Sequence, residues 1–292
     1  MLNLQGRWNR RAFGWSRARD ASAVALRYSP GIAAGRVRLA PSEGWHLLDR
    51  QVSPGFSRPC RDLLATDATP WLAGRVRDFF VSRQQAQQVP VFLHKLTGWP
   101  RAGLLSSALD DVRFIHVVRD GRAVANSWLQ MGWWDGYQGP DNWFLGPLEP
   151  ADREAWEREG RSFPVLAALG WQVLMRAFAA ARARVAEDRW LDVRYEDLLA
   201  DPAATVDRLT DFVRLRPDVA FDRGVRRHTV AGGRSEAFRR DLDPESIAAM
   251  ERVIAPTLRD WGYQMNPPRV EDTVRLPGAT VGISGEVCPF SY

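Results

Sequence analysis

The alternation of apolar and polar residues predicts helices joined to short buried strands. Residues 114–118 form an apolar run rich in β-branched side chains, which is typical of a buried strand. From Asp120 to Trp128 the apolar residues recur at helical spacing instead. The chain therefore passes from a strand straight into a helix, with Arg119 at the junction.

The same two patterns recur along the rest of the chain. Further buried strands are predicted at 91–95 and 190–195, and helices at 71–88, 163–188, 206–212 and 243–258. The helix at 71–88 is amphipathic, with Arg83 on its polar, outer side. Strands that alternate with helices predict an α/β fold, and 292 residues with a 45% hydrophobic composition suffice for one domain with a full core.

The basic residues are concentrated at the start of the chain. Residues 1–40 hold eight Arg and one acidic residue, so they carry +7, and the other residues sum to −2 within the net charge of +5. We predict a poorly ordered basic leader at 1–37, a folded domain at 38–265 and a loose tail at 266–292. A protein that binds nucleic acid or a membrane surface through its leader is an alternative, but a basic face across the whole protein is not indicated.

The junction between the strand at 114–118 and the following helix is a candidate anion site. Ligands of open parallel sheets bind at the carboxyl ends of strands, where a helix N-terminus offers unpaired N–H groups and a positive dipole end. Arg119 ends the strand and Ser127 follows eight positions later, so both can reach one phosphate. The alternative is an ion pair between Arg119 and Asp120, with Asp120 capping the helix.

The string R-D-G-R-A-V-A-N-S, which begins at Arg119, resembles the 3′-phosphate-binding segment of sulfotransferases that use 3′-phosphoadenosine 5′-phosphosulfate (PAPS). The family pattern is an apolar strand, then R-D-P-R, then a Ser eight residues after the first Arg, and here Gly121 replaces the Pro. The string W-L-D-V-R-Y-E-D-L, from Trp190, resembles the family too. The resemblance spans about 38–265 and implies a three-layer α/β sandwich like that of P-loop NTPases, with a short parallel sheet flanked by helices.

The resemblance also implies roles for individual residues. They are Arg119 and Ser127 on the 3′-phosphate, Tyr195 on the adenine, Arg234 closing over the phosphate, Lys95 on the transferring sulfuryl group and Glu43 as the base. Lys95 is the only lysine in the chain, and its alternative role is that of a surface residue at a strand end. The alternative for Glu43 is that, with Ser42, it caps a helix that starts near Trp45.

One part of the family pattern is missing from the sequence. Sulfotransferases of this type open with a strand and a G-x-x-R-S-G-T-T loop whose backbone amides hold the 5′-phosphosulfate. Neither that loop nor a Walker-type G-K-S/T loop occurs, and the second absence disfavours a nucleotide kinase. Two expectations stay open: a sulfotransferase whose first strand and loop are lacking here, and a catalytically inactive sulfotransferase-like protein.

The expected acceptor carries a hydroxyl or amine on a small molecule, a carbohydrate or a peptide. The aromatic segment at 131–148 either forms its pocket or folds onto the core. We expect no nucleic-acid partner, no membrane span, since no apolar run reaches about 18 residues, and no metal. Cys60 and Cys288 have neither metal-binding nor redox spacing, which fits a cytoplasmic protein.

Overall fold

The computed structural model describes residues 44–219, residue 221 and residues 234–265, together with the backbone of two short strands near the N-terminus. These strands are β1 (Leu26–Tyr28) and β2 (Leu39–Pro41), and they pair antiparallel. Most of the predicted leader, the whole predicted tail and the candidate base Glu43 lie outside the described residues.

The remaining elements form an α/β domain. Two further strands are β3 (Phe114–Val118) and β4 (Trp190–Arg194). The helices, in chain order, are α1 (Trp45–Gln51), α2 (Pro70–Gln87), α3 (Ala102–Ala108), α4 (Gly121–Leu129), α5 (Pro150–Arg158), α6 (Phe163–Arg182), α7 (Tyr195–Ala200), α8 (Pro202–Phe212), α9 (Phe238–Asp241) and α10 (Pro244–Asp260).

Strands β3 and β4 pair in parallel and in step. Phe114 lies opposite Trp190 at one end of the pair, and Val118 lies opposite Arg194 at the other. This confirms the predicted α/β class with a short parallel sheet flanked by helices. Because the two strands end at the same level, the residues that follow them start from neighbouring positions.

The predicted strand at 91–95 is wrong. In the described structure this part of the chain is irregular, with exposed and half-buried side chains alternating, and Leu93 is 77% exposed. The inward side chains pack on helix α2, where the His94 ring meets Phe79 and Phe80 edge-on at centroid distances of 6.1 and 5.4 Å. An alternating pattern indicates one buried face, and here a helix covers that face without a strand partner.

Helix α6 lies at the centre of the largest core. Eleven of its twenty residues are buried, and it packs against α4 and α10. By length and composition alone α6 is apolar enough to cross a membrane, with a mean hydropathy of 1.4. The core helix of a globular domain has the same apolar character when neighbouring helices cover most of its circumference.

The aromatic segment at 131–148 folds largely onto this core. Trp134 and Trp143 are 7% and 5% exposed and pack with the residues of α6. Tyr137, in contrast, is 64% exposed. The segment was predicted either to form the acceptor pocket or to fold onto the core. Trp134 and Trp143 fold onto the core.

Gly121 lets helix α4 approach α6 closely. It is the first residue of α4, and a Cβ atom built on it would lie 2.5 Å from the ring of Trp171. Trp171 is only 3% exposed, so its ring has little room to move. A proline at position 121, as in the family pattern, would also bring a Cβ atom against this ring, which gives a physical reason for the glycine.

We expect Gly121→Ala to lower the free energy of unfolding by about 1 to 3 kcal/mol, because it forces an extra methyl group against a fixed ring. Urea denaturation followed by tryptophan fluorescence measures this. Gly74→Ala in helix α2 is the matched control, since a Cβ atom there meets nothing within 4 Å. Alanine should stabilise α2 by up to about 1 kcal/mol. Equal stability of Gly121→Ala and the parent would contradict the close packing.

The predicted outward position of Arg83 is wrong, since this side chain is 5% exposed. Its Nη1 donates to the carbonyl oxygen of Phe79, and its Nη2 donates to Oε1 of Gln51, both at 2.7 Å. The guanidinium also lies 3.5 Å from the centroid of the Phe79 ring. Helix α2 can bury this cation because carbonyl oxygens and an aromatic face replace its water shell.

Candidate functional site

The candidate site lies where the two parallel strands end. The residue after β3 is Arg119 and the residue after β4 is Tyr195. The Arg119 guanidinium lies 5.0 Å from the centroid of the Tyr195 ring. A guanidinium stacked on an aromatic face keeps its N–H groups directed to the sides, where they can bind an anion.

Arg234 joins this pair from a distant part of the chain. Nη2 of Arg119 donates to the backbone oxygen of Arg234 at 2.5 Å, and Nη2 of Arg234 donates to Oε1 of Gln130 at 3.1 Å. Three of the predicted binding residues, Arg119, Tyr195 and Arg234, are therefore in one connected group, which we call the Arg119 cluster. Ser127 is half-buried on α4, one turn before Gln130 at the end of that helix.

Arg119 has hydrogen-bonding capacity to spare. Its Nε atom is buried and finds no hydrogen-bond partner in the part of the chain that the structure describes. A buried donor without an acceptor is costly, and more so when it is charged. An anionic oxygen would satisfy this donor, so the cluster fits a phosphate group.

The N-terminus of helix α4 carries its own carboxylate. Asp120 caps the helix, as one part of the alternative interpretation has it, by accepting a hydrogen bond from the Arg122 backbone N–H at 2.8 Å. Its ion-pair partner is Arg122 (2.6 Å), where the alternative interpretation had paired it with Arg119. Since an acidic side chain already occupies part of this helix end, the Arg119 cluster is the stronger candidate for binding an anion.

Glu196 connects the ends of the two strands. Its Oε1 accepts from the Asp120 backbone N–H at 3.1 Å, and its Oε2 accepts from the Tyr263 hydroxyl at 3.0 Å. Burial, and then the nearby Glu196 carboxylate, raise the pKa of Tyr263 far above its ordinary value. Tyr263 thus stays a hydrogen-bond donor and holds Glu196, which in turn fixes the spacing between Asp120 and Tyr195. No sequence motif marks Tyr263.

Lys95 lies in a different segment, and its side chain is exposed. Within the described residues, the contacts that join the Arg119 cluster are made by Arg119, Tyr195, Arg234 and Gln130. The chain just after Lys95 is fixed by Arg101, which is completely buried and donates to the carbonyl oxygens of Thr97 (3.1 Å) and Trp99 (2.5 Å). A third bond, to the carbonyl oxygen of Ser57 (2.9 Å), ties this chain to the loop after α1. Arg101 therefore restrains the backbone that carries Lys95.

Helix α1 begins just after Glu43 in the chain. Its N-cap is Gly44, in the left-handed conformation with φ of 70°. Ser42 and Glu43 both lie outside the described residues. The role of Glu43 as base and its alternative role in a helix cap with Ser42 therefore both stay predictions.

No metal site accompanies the cluster within the described ranges. Residues 44–219, 221 and 234–265 contain no group of three or more His, Cys, Asp or Glu side chains that could hold a metal ion. What the cluster offers is guanidinium, hydroxyl and aromatic groups. That donor set suits phosphate and a flat base.

Known proteins provide the remaining evidence. A protein-family model described as "Sulfotransferase family" matches residues 41–218, a stretch that holds both parallel strands, Lys95, Arg119 and Tyr195. A solved structure described as "Sulfotransferase Domain from the Curacin Biosynthetic Pathway" is 13% identical, covering 65% of this chain and 69% of its own, with a TM-score of 0.44. No curated protein matches the chain. Because the family match spans more than half of the sequence, the chain belongs to the sulfotransferase family.

Proposed function

We propose that this protein transfers a sulfuryl group from PAPS to a hydroxyl or amine of an acceptor. The observation that carries the proposal is the Arg119 cluster at the ends of the parallel strands. Its stacked guanidinium has a buried Nε with no partner among the described residues, and a second arginine lies beside it. Such an arrangement favours an anion attached to a planar base.

In this proposal, different residues bind different parts of the nucleotide. Arg119 and Ser127 bind the 3′-phosphate, the first through a charged fork and the second through its hydroxyl. Arg234 adds a second positive charge next to the same group. Tyr195 packs its ring on the adenine, since a flat aromatic surface suits a flat base. These contacts hold the donor in place but leave the transfer itself to other residues.

Transfer proceeds by in-line displacement at sulfur. The acceptor oxygen or nitrogen forms a bond to sulfur while the bond from sulfur to the bridging phosphate oxygen breaks. Lys95 neutralises the negative charge that develops on the sulfuryl and leaving oxygens, and a compact ammonium suits that task. Glu43 accepts the proton of the acceptor, which requires a carboxylate of raised basicity within hydrogen-bonding distance. The acceptor is a small molecule, a carbohydrate or a peptide.

The 3′-phosphate assignment is tested with two nucleotides. Arg119→Ala should weaken binding of 3′-phosphoadenosine 5′-phosphate about 10- to 100-fold, which corresponds to ~1.5 to 3 kcal/mol for a charged hydrogen bond. Adenosine 5′-phosphate lacks the 3′-phosphate, so the same variant should bind it nearly as well as the parent does. Isothermal titration calorimetry measures both affinities. Arg158→Ala, at an exposed surface pair with Glu154, is the control and should change neither.

The outcomes separate three cases. Equal losses for the two nucleotides would contradict the assignment of Arg119 to the 3′-phosphate. Failure of the parent to bind either nucleotide would overturn the proposed function. Binding of 3′-phosphoadenosine 5′-phosphate without sulfuryl transfer to any member of a panel of phenols, sugars and peptides would identify the inactive sulfotransferase-like alternative.

A further inference from the structure

We propose that Asp241 is a positioning residue that directs Arg234 toward the nucleotide by fixing the orientation of the Gln130 amide. The inference rests on the proposed function. It adds a chain of hydrogen bonds from Asp241 through Gln130 to Arg234, which we call the relay. Asp241 ends the short helix α9, and Gln130 follows helix α4. The two lie 111 residues apart in sequence and meet beside the Arg119 cluster.

The relay begins with two amide groups that face one carboxylate oxygen. Oδ2 of Asp241 accepts from Nδ2 of Asn126 at 3.0 Å and from Nε2 of Gln130 at 3.3 Å. Nε2 of Gln130 also donates to Oδ1 of Asn126 at 3.0 Å. Asn126 is 4% exposed, so its amide is held in place by the surrounding helices.

The chemistry of Asp241 decides which way the Gln130 amide points. An ionised carboxylate can only accept hydrogen bonds, so the NH₂ group of Gln130 must face it. The carbonyl Oε1 of Gln130 is then directed away and accepts from Nη2 of Arg234 at 3.1 Å. With the amide reversed, Oε1 would face the Asp241 carboxylate and the NH₂ group would face the guanidinium, and both contacts would be repulsive.

Asp241 is ionised under ordinary conditions. Hydrogen bonds, first from Asn126 and then from Gln130 and Arg240, hold the pKa of Asp241 below its usual value. Its Oδ1 is 3.1 Å from both Nε and Nη2 of Arg240. The hydrogen bonds of the relay therefore have one fixed direction, in which Gln130 donates to Asp241 and accepts from Arg234.

Arg234 is thereby fixed at both ends. Its backbone oxygen accepts from Arg119, and its guanidinium donates to Gln130. Because Arg119 and Arg234 share these bonds, the Gln130 orientation affects how both guanidinium groups meet a phosphate. We expect the relay to contribute to donor affinity through Arg234 and to leave the transfer step untouched.

The test is the dissociation constant of 3′-phosphoadenosine 5′-phosphate in the full-length protein. Asp241→Asn removes the acceptor-only group, so the amide of Gln130 is no longer held one way and the constant should rise about three- to tenfold. Gln130→Leu should give a similar rise, since it removes the Oε1 acceptor directly. In an active preparation the KM for PAPS should rise with kcat unchanged, which a general loss of packing would not produce.

A double-mutant cycle distinguishes the relay from an independent effect. In an Arg234→Ala background, Asp241→Asn should cause no further loss of affinity, because the group that it positions is gone. Additive losses would overturn the inference. Asp141→Asn is the matched control, since Asp141 pairs with Arg153 on an exposed surface. The control should leave the dissociation constant unchanged.

The outcomes also separate this inference from the proposed function. If Arg119→Ala weakens nucleotide binding and Asp241→Asn does not, the relay is wrong and the proposed function stands. If the parent protein does not bind the nucleotide at all, both fail. Thermal denaturation accompanies each variant, and the melting temperature of Asp241→Asn should match that of the parent because asparagine keeps the side-chain shape and an acceptor oxygen for Asn126.

Discussion

Lys95→Ala is expected to lower kcat for sulfuryl transfer about 100- to 1000-fold, the loss typical when a group that stabilises transition-state charge is removed. The dissociation constant of 3′-phosphoadenosine 5′-phosphate should change much less than kcat, because the product nucleotide keeps the leaving oxygen but lacks the sulfuryl group on which Lys95 also acts. Folding should be unaffected, since Lys95 is exposed on an irregular segment. Steady-state kinetics and calorimetry together measure the two effects.

Lys95→Arg is the informative companion variant. It keeps the positive charge but replaces a compact ammonium with a larger planar group, so part of the loss in kcat should remain. An unchanged kcat in Lys95→Ala would remove Lys95 from the mechanism and leave it as a surface residue. A rise in KM alone, with kcat preserved, would make Lys95 a donor-binding residue without a catalytic role.

Local patterns predicted the part of the site that is local in sequence. The β-branched run at 114–118 and the helical spacing after Asp120 gave the strand, the cap and the helix as the structure has them. These features depend on neighbours within a few residues, which is why the sequence alone was sufficient.

The wrong predictions share a different cause. The short apolar run at 91–95 indicated a buried strand, but such a run does not say whether a strand or a helix packs against it. The amphipathic pattern of the helix placed Arg83 on its outer side. In the structure its donors meet a carbonyl oxygen and an amide oxygen, and its guanidinium lies over an aromatic ring. The helix that covers 91–95 and Gln51, one of the two partners of Arg83, belong to other elements, so their positions follow only from the tertiary structure. Phe79, the other partner of Arg83, lies on the same helix α2.

Most of the polar residues that support the site carried no sequence signal, although Glu196 belongs to the family-like string that begins at Trp190. Glu196 bonds to Tyr263, and Gln130 bonds to Asp241, each across more than 60 residues. A single glutamine or tyrosine has no spacing rule that would single it out. The family motifs therefore identified side chains that are placed to contact the nucleotide, while the groups that orient them became visible only through their hydrogen bonds.

Gly121 shows how a departure from a family motif can be structural. By sequence alone, a glycine in place of the proline leaves the turn possible but less preorganised. The structure adds that the ring of Trp171 occupies the space that any Cβ atom at this position would need. Gly121 and Trp171 are thus complementary in size, and their contact sets the position of helix α4, which carries Ser127.

The largest loss of stability is expected from Arg122→Met. Arg122 is 2% exposed, and its guanidinium pairs with Asp120 and Glu251 and donates to the backbone oxygen of Gln264 at 2.9 Å. Removing the cation leaves two carboxylates in a poorly solvated position, so the free energy of unfolding should fall by about 3 to 5 kcal/mol. Urea denaturation at neutral pH measures the loss.

The residue next to Glu251 on helix α10 provides the control. Arg252 follows Glu251 on α10 and pairs with Glu159, but its side chain is 57% exposed. Arg252→Met should therefore cost less than about 1 kcal/mol, since an exposed ion pair contributes little. Equal losses for Arg122→Met and Arg252→Met would contradict the argument that burial makes the difference.

A second substitution tests whether the unpaired Glu251 carboxylate causes the loss of stability in Arg122→Met. In Arg122→Met/Glu251→Leu the buried carboxylate of Glu251 is gone, so part of the stability lost in Arg122→Met should return. Asp120 still caps helix α4 in this variant, and its remaining negative charge explains why recovery should be incomplete. A double variant less stable than Arg122→Met would show that Glu251 stabilises α10 through packing, independently of its pairing with Arg122.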